Sequence, residues 1–356
     1  MKLNELRKNI DEIDAKIVEL INERYKHVLE VGKWKQNTMS PIYVPEREKS
    51  LLERLCKLNQ GPMHEKTLRA IYHEIMSGAF ALERPLKVAY LGPEATYTHQ
   101  AAMAKFGHSV EYTSRNSIAD VFSDVETGRA DYGCVPVENS TEGAVSHTLD
   151  KFIASPACIC AEIRFSVRHN LMAKCPREQI KRIYSHAQSL GQCRAWLLQH
   201  MPGVELIEIN SNSRAAQQAA SEEHSAAIAG KLAAELYGLE IIESDIQDSS
   251  DNTTRFLVLA KQQPAQTGDD KTSICFAAKD RVGILYDCLL PFKEQNIMMT
   301  FIESRPSKQR NWEYYFFIDF LGHQGDKKVK EALTRLSELC HFVKVLGSYP
   351  RTDFTH

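Results

Sequence analysis

The first 36 residues carry one unbroken helical stripe in which a basic side chain takes an apolar place. Leu3, Leu6, Ile10, Ile13, Ile17 and Leu20 recur at alternating steps of three and four, the spacing of a helix that buries one face. Continued, the same steps land on Arg24, His27, Val31 and Trp34, with Lys35 beside them. A guanidinium on a buried seam is costly unless an anion meets it. With no Gly or Pro before Gly32, such a helix spans roughly 50 Å, longer than a small domain is wide, and needs a partner helix from a second chain. The expectation is a helical dimer whose interior holds an anion.

The rhythm changes twice more. Residues 1–84 read as all helix, with a second stretch from Pro45 stopped by Gly61 and Pro62, and a third from about Glu65 to Leu82. From Leu86 short apolar strands alternate with helices over residues 86–262, which predicts an α/β module of two lobes on a mostly parallel sheet. Polar clusters fall at strand ends, where ligands gather in such folds: GPEATYTH, VENSTEG and SHAQSLGQC. After a polar linker at 262–270, residues 271–350 read as strand 272–277, helix 281–295, strands 298–303 and 313–321, helix 326–340 and strand 342–346. That βαββαβ order is α+β and ferredoxin-like.

Composition limits the function classes. A net charge of −2 over 356 residues offers no basic face for nucleic acid. Nine scattered cysteines without a C-x-x-C pair suit reduced thiols in a cytoplasmic protein and suggest no metal site. No apolar run reaches membrane-spanning length. The turn after the first α/β strand, GPEA, has one Gly, which disfavours a G-x-G-x-x-G nucleotide site.

Three resemblances follow from these residues. The strings LRKNIDEIDAKIVELINER, VGKWK and PEREKSLLERL resemble the all-helical chorismate mutases. The resemblance implies two interlocked chains and a chorismate site made by Arg7, Arg24, Lys35, Arg47, Glu48 and Glu83, with Arg7 reaching the partner's site. Lys35 would stabilise charge on the breaking ether oxygen. The pattern departs at Val44, Ala79 and Glu83, and a glutamate at the last of these donates a hydrogen bond only when protonated. On spacing alone, Arg7 with Asp11 reads as an ordinary i,i+4 surface pair.

The motifs GPEATYTHQAA, VPVENSTEG, SHAQSLGQC and DNTTRFLVL occur in the order found in prephenate dehydratases, whose fold is two lobes like those of periplasmic binding proteins. The resemblance makes Thr254 the catalytic hydroxyl and assigns prephenate contacts to Thr96, Thr98, Asn139, Ser140, Thr141, His186, Gln188 and Arg255. Asn139, Ser140 and Thr141 are expected where a strand ends and a helix begins, a site for a carboxylate. Other readings stay open: Ser140 or Thr141 as a helix cap, His186 as a structural histidine, Arg255 as the partner of a buried acid. Ala95 stands where the family usually has Gly, and would strain the loop if φ there is positive.

DRVGILYDCLLPF and FIESRPS resemble the ACT domain fused to these dehydratases. That implies a phenylalanine site between paired domains, lined by Gly283, Ile284, Leu285, Met298, Glu303, Ser304, Arg305 and Pro306; the alternative is a structural dimerisation module. The chain is therefore expected to be a cytoplasmic homo-oligomer without cofactor, turning chorismate through prephenate into phenylpyruvate under phenylalanine control. The rivals are a mutase fused to a prephenate dehydrogenase and a non-catalytic amino-acid sensor.

Overall fold

A computed structural model describes residues 3–38, 40–278, 281–307 and 314–352, with Gln36 described by its backbone alone. The chain divides into two units, residues 1–87 with 106–111, and 88–105 with 112–356.

The first unit is helical: α1 (Leu3–Thr38), α2 (Pro45–Leu58) and α3 (Glu65–Glu83). Pro45 opens α2 at a position where a missing N–H costs nothing. Two glycines let α1 and α3 approach closely. A Cβ on Gly78 would meet the Tyr25 hydroxyl, which donates to the Ile75 carbonyl at 3.0 Å. A Cβ on Gly32 would lie 3.3 Å from the Cα of Glu83. Tyr43 anchors the short end of the unit, edge-on to Phe80 and Phe106. Residues 3–20 are exposed on every face, the predicted stripe included, so the N-terminal half of α1 finds no cover within its own unit.

The second unit begins with β1 (Lys87–Leu91), α4 (Tyr97–Phe106), β2 (Glu111–Arg115), α5 (Ile118–Thr127), β3 (Tyr132–Asn139), β4 (Gly143–Ala144), α6 (Ser146–Ala154) and β5 (Cys158–Ser166). A second lobe follows: β6 (Asn170–Ala173), β7 (Arg182–Ser185), α7 (Ala187–Gln192), α8 (Arg194–His200), β8 (Glu205–Glu208), α9 (Asn212–Ser221), β9 (Ser225–Ala229), α10 (Lys231–Tyr237) and β10 (Glu240–Glu243). The chain then returns as β11 (Thr253–Ala260) and ends in β12 (Asp270–Ala278), α11 (Ile284–Glu294), β13 (Met299–Pro306), β14 (Tyr314–Leu321), α12 (Lys327–Leu339) and β15 (Cys340–Pro350).

Both lobes have mixed sheets, which corrects the mostly parallel expectation. In the first, ordered β2-β1-β3-β11-β5, β11 runs antiparallel between β3 and β5. In the second, ordered β10-β6-β9-β7-β8, only β7 with β8 and β9 pairs in parallel. The cause lies in the chain path: β5 leaves the first lobe and β11 comes back beside it, a long-range pairing that local periodicity does not encode.

The C-terminal sheet, ordered β13-β14-β12-β15 with antiparallel pairs, has the ferredoxin-like βαββαβ topology. The residue expected to open β14, Glu313, lies outside the described residues. One face of this sheet carries α11 and α12 over Ile274, Phe276, Ile318 and Phe320. The other lays Cys275, Phe317, Leu346 and Tyr349 against the core of the first lobe. The approach is close: a Cβ on Gly347 would fall inside the van der Waals radius of the Ile159 carbonyl oxygen on β5. Gly347→Ala is expected to push the two sheets apart at an overpacking cost of about 1–3 kcal/mol, read as a thermal midpoint lowered by several degrees; an unchanged midpoint would contradict this packing.

Candidate active sites

In the helical unit the Gly32 contact brings the last turns of α1 and α3 together and makes an ion pair. Lys35 Nζ donates to Glu83 at 3.0 and 3.4 Å and to the Ile42 carbonyl at 2.8 Å. The carboxylate is 8% exposed and the lysine 17%. Here Glu83 accepts from Lys35, whose ammonium is the donor of this pair. Glu48 is held by the Tyr43 hydroxyl at 2.9 Å. Arg24 is half-buried, and its Nη1 is buried with no hydrogen-bond partner among the described residues. A buried charged donor without a partner is costly. Arg47 is exposed on α2. Arg7 is exposed on α1, 28 residues before Lys35, or about 42 Å along a rigid helix. One chain therefore does not bring Arg7 to Lys35.

In the second unit the residues at the two crossings between lobes form a closed ring of hydrogen bonds. Asn139 ends β3 and is followed by a tight turn into β4, not by the helix that the sequence suggested. The Asn139 Oδ1 accepts from the backbone N–H groups of Thr141 at 3.0 Å and Glu142 at 3.2 Å. Backbone amides only donate, so these two bonds fix which end of the Asn139 amide is oxygen. The same oxygen accepts the Thr141 hydroxyl at 2.6 Å. Thr141 Oγ1 then accepts from Gln192 Nε2 at 3.1 Å. Gln192 Oε1 accepts from Asn252 Nδ2 at 2.8 Å, and Asn252 Oδ1 accepts from Asn139 Nδ2 at 2.9 Å. All four bonds run the same way around.

One bond leaves the ring toward Thr254. The Asn139 Nδ2 donates to Thr254 Oγ1 at 2.8 Å, across a register that sets the two residues opposite each other. The Thr254 oxygen is thus already an acceptor, and its own proton is free to be given to a ligand. On the far side, Gln192 Oε1 also takes His169 Nε2 at 2.8 Å. His169 is buried, and burial lowers its pKa below the ordinary histidine value, which favours the neutral ring. Its Nδ1 lies 2.9 Å from the Tyr97 hydroxyl, which is also 2.8 Å from the Arg168 carbonyl.

The other expected prephenate contacts divide from this cluster. Thr96 hydrogen-bonds the Leu91 carbonyl and the His99 N–H, as a cap at the start of α4. Thr98 is buried in α4. Ser140 is a clamp between strands, donating to the Asp251 carbonyl and accepting the Thr253 N–H. His186 caps α7, its Nδ1 accepting the Gln188 N–H at 3.3 Å. Gln188 is half-buried on α7. Arg255 turns away from Thr254, as successive strand residues must, and is 7% exposed among Glu162, Asp319 and Tyr349. It is therefore not a prephenate contact in this arrangement but the partner of buried acids. Ala95 does adopt a positive φ, 61°, the strained conformation its identity threatened. Its N–H donates to His99 Nδ1 at 3.1 Å.

Sequence reasoning missed Gln192, Asn252 and His169. Gln192 and Asn252 sit inside two of the quoted motifs, at strand- and helix-end positions, and that was the available signal; His169 lies on the bare crossing and gave none.

On the C-terminal sheet, Gly283 caps α11 with φ 77°, and Ile284 and Leu285 start that helix half-buried. Met298 is exposed just before β13. Alternation along β13 splits the remaining expected effector residues: Ser304 and Pro306 are exposed, while Glu303 and Arg305 take the half-buried face. Arg305 reaches Asp150 of α6 at 3.4 Å.

The ring's direction makes a testable demand on His169. Its ¹⁵N resonances at pH 7 are expected to report a neutral ring protonated at Nε2. Protonation at Nδ1 alone would require the Gln192 amide to be turned over and would contradict the assigned direction.

Comparison with known proteins identifies both enzyme modules. The family model for prephenate dehydratase matches residues 88–264, and that for chorismate mutase type II matches residues 6–84. A bifunctional chorismate mutase/prephenate dehydratase of Aquifex aeolicus is 47% identical over 98% of each chain. That of Pseudomonas aeruginosa is 45% identical, also over 98% of each. The prephenate dehydratase of Arthrobacter aurescens, solved in complex with L-Phe, superposes with a TM-score of 0.70 at 32% identity, covering 75% of this chain and 90% of that one. That of Staphylococcus aureus gives 0.66 at 26% identity, over 74% of this chain and all of the other. The chain belongs to the bifunctional chorismate mutase/prephenate dehydratase family and carries both of its enzyme modules.

Proposed function

We propose that the helical unit rearranges chorismate to prephenate and that the two-lobed module converts prephenate to phenylpyruvate, with phenylalanine acting as feedback inhibitor at the C-terminal, ACT-like module. The observation that carries the dehydratase reading is the Thr254 hydroxyl, whose oxygen is occupied by Asn139 and whose proton is not.

Prephenate loses its ring hydroxyl and one carboxylate as the ring becomes aromatic. The balance is one prephenate dianion and one proton giving phenylpyruvate, carbon dioxide and water. Charge builds on the departing oxygen as its bond to carbon breaks. Thr254 is too weak an acid to transfer its proton early; it gives a hydrogen bond that strengthens as that charge grows, while the proton finally taken up comes from solvent. The Asn139 amide, donating to Thr254, sharpens that donor through hydrogen-bond polarisation. Gln192 and Asn252 hold Asn139 in place and belong to the same machinery.

The mutase reaction is intramolecular and needs no nucleophile, so holding the substrate in its reactive chair and matching its charge suffice. Arg24 and Arg47 would take the two carboxylates as bidentate forks. Lys35 would move from Glu83 to the ether oxygen, with Glu48 beside it. Arg7 would enter from a second chain, and the exposed stripe of Leu3, Leu6, Ile10, Ile13, Ile17 and Leu20 gives that chain a surface to cover, so the chain acts as a homo-oligomer.

The phenylalanine reading rests on the L-Phe complex of the Arthrobacter relative and on the motifs around Gly283 and Ser304, with Gly283 opening α11 in a left-handed conformation and Ser304 exposed on β13. The reaction is proposed to take place in the cytoplasm: all nine cysteines are free thiols, and no described helix is long and apolar enough to cross a membrane.

The two activities should separate by mutation. Lys35→Ala is expected to lower mutase turnover by about 10²–10³ and to leave prephenate turnover intact, and Thr254→Ala to do the reverse, since each removes one donor aimed at developing charge. Wild-type prephenate turnover should fall on adding phenylalanine. Absence of prephenate turnover in wild type would sink the dehydratase reading; turnover indifferent to phenylalanine would leave a structural C-terminal module.

A further inference from the structure

We infer that Asp319, on the C-terminal sheet, is a positioning residue for the dehydratase reaction, acting on Thr254 through Arg255. The inference rests on the dehydratase reading above.

The two residues are neighbours on β11 with opposite faces. Thr254 meets Asn139; Arg255 points into the layer between the first-lobe sheet and the C-terminal sheet. There the guanidinium is gripped from several strands at once. Its Nε donates to Glu162 on β5 at 2.8 Å, and its Nη2 donates to the Tyr349 hydroxyl on β15 at 3.0 Å. Asp319 on β14 approaches Nη2 at 2.6 Å as an ion pair outside the preferred hydrogen-bonding direction. The Phe301 ring of β13 lies 5.8 Å from the guanidinium carbon. Lys271 on β12 closes the cluster by donating to both oxygens of Glu162, at 2.8 and 2.7 Å. All four strands of the C-terminal sheet therefore contribute to one guanidinium or to its partner.

Two buried cations meet two buried acids, and the more exposed Glu138 of β3 adds a third carboxylate 3.8 Å from Nη1. Arg255 and Lys271 face Glu162 and Asp319, and every one of the four is less than 9% exposed. Burial alone would raise the Glu162 pKa, yet the charges of Arg255 and Lys271 outweigh it and hold the carboxylate below the usual range. Such a cluster tolerates no missing member, because the remaining charge is left unpaired where water does not reach it.

The backbone supplies the lever. The pairing of β11 with β3 shifts register between Arg255 and Phe256, one residue beyond the Thr254–Asn139 pair, while the ladder to β5 runs on through this stretch. Where one ladder is interrupted, side-chain anchors add to what holds the strand. The Arg255 anchor is the one next to Thr254, and of its acidic partners Glu138 and Glu162 lie on the first-lobe sheet while Asp319 lies on the other sheet. Displacing Asp319 would let Arg255 draw toward Glu162 and shift the hydroxyl out of line with the leaving oxygen, without touching the groups that bind substrate. The consequence is a C-terminal sheet that completes the dehydratase site mechanically.

The test compares Asp319→Asn, Asp319→Glu and Tyr349→Phe in the full chain, with prephenate kcat and KM measured per folded protein and thermal midpoints recorded separately. Asp319→Asn is expected to lower kcat at least tenfold with KM within twofold, and Asp319→Glu to recover most of that loss. Tyr349→Phe keeps the charges and the ring, removes only one neutral contact to Arg255, and is expected to fold and to lower kcat about threefold with KM unchanged. Wild-type turnover in the same assay separates failure of the dehydratase reading from failure of this inference. Folded variants with wild-type kcat, or variants whose KM rises while kcat holds, would overturn it.

Discussion

Two backbone amides donate to one side-chain oxygen, and the chemistry of the two-lobed module takes its direction from that. Thr141 and Glu142 present their N–H groups to Asn139 Oδ1 because β3 ends in a turn rather than a helix. The choice is forced, since a backbone amide cannot accept. From there each next side chain has one way to point, through Thr141, Gln192 and Asn252 back to Asn139, and one amide proton is left for Thr254. In a network closed in this way the orientation of each side chain is fixed by the next. The ring also joins the lobes, because Gln192 closes α7 in the second while Asn139 closes β3 in the first.

Strand β11 carries this chemistry on one face and its mechanical support on the other. It returns antiparallel between β3 and β5, so Thr254 is fixed by ladders on both sides and faces Asn139. Arg255 ties the opposite face to a second sheet laid so close that Gly347 admits no side chain. The helical unit is built on a different principle. Its reactive groups, Lys35 and Glu83, are held by each other, while Arg24 keeps an unpartnered buried donor. Thr254 is thus set in place by its neighbours, whereas Lys35 is already engaged in a pair.

What could be read from the sequence was whatever repeats along the chain or stands in a contiguous motif. The three helices of the first unit follow from step spacing and from Pro45, Gly61 and Pro62 as punctuation. The C-terminal βαββαβ order follows from alternation of strand and helix rhythms. Thr254 was singled out by its motif, and the structure sets it opposite Asn139. What could not be read was pairing across long sequence distance. The antiparallel return of β11, more than 80 residues after β5, leaves no local signature, and the expectation of a mostly parallel sheet failed there. Thr96, Ser140 and His186 have the residue types of ligand contacts and of caps alike, and only their partners decide between the two. Arg255 had both readings open, and strand alternation with Glu162 and Asp319 selects the buried one. Gln192, Asn252 and His169 are single polar residues whose meaning comes from meeting one another across the lobe crossings.

The most direct measurement of the central claim is the position of the Thr254 hydroxyl hydrogen, by neutron diffraction from deuterium-exchanged crystals of the full chain. The account predicts that Asn139 Nδ2 carries two deuterons, one toward Asn252 Oδ1 and one toward Thr254 Oγ1, with the Thr254 deuteron directed away from Asn139. A Thr254 deuteron lying on the line to Asn139, with the amide oxygen facing it, would contradict the direction of the ring and with it the assignment of Thr254 as the donor.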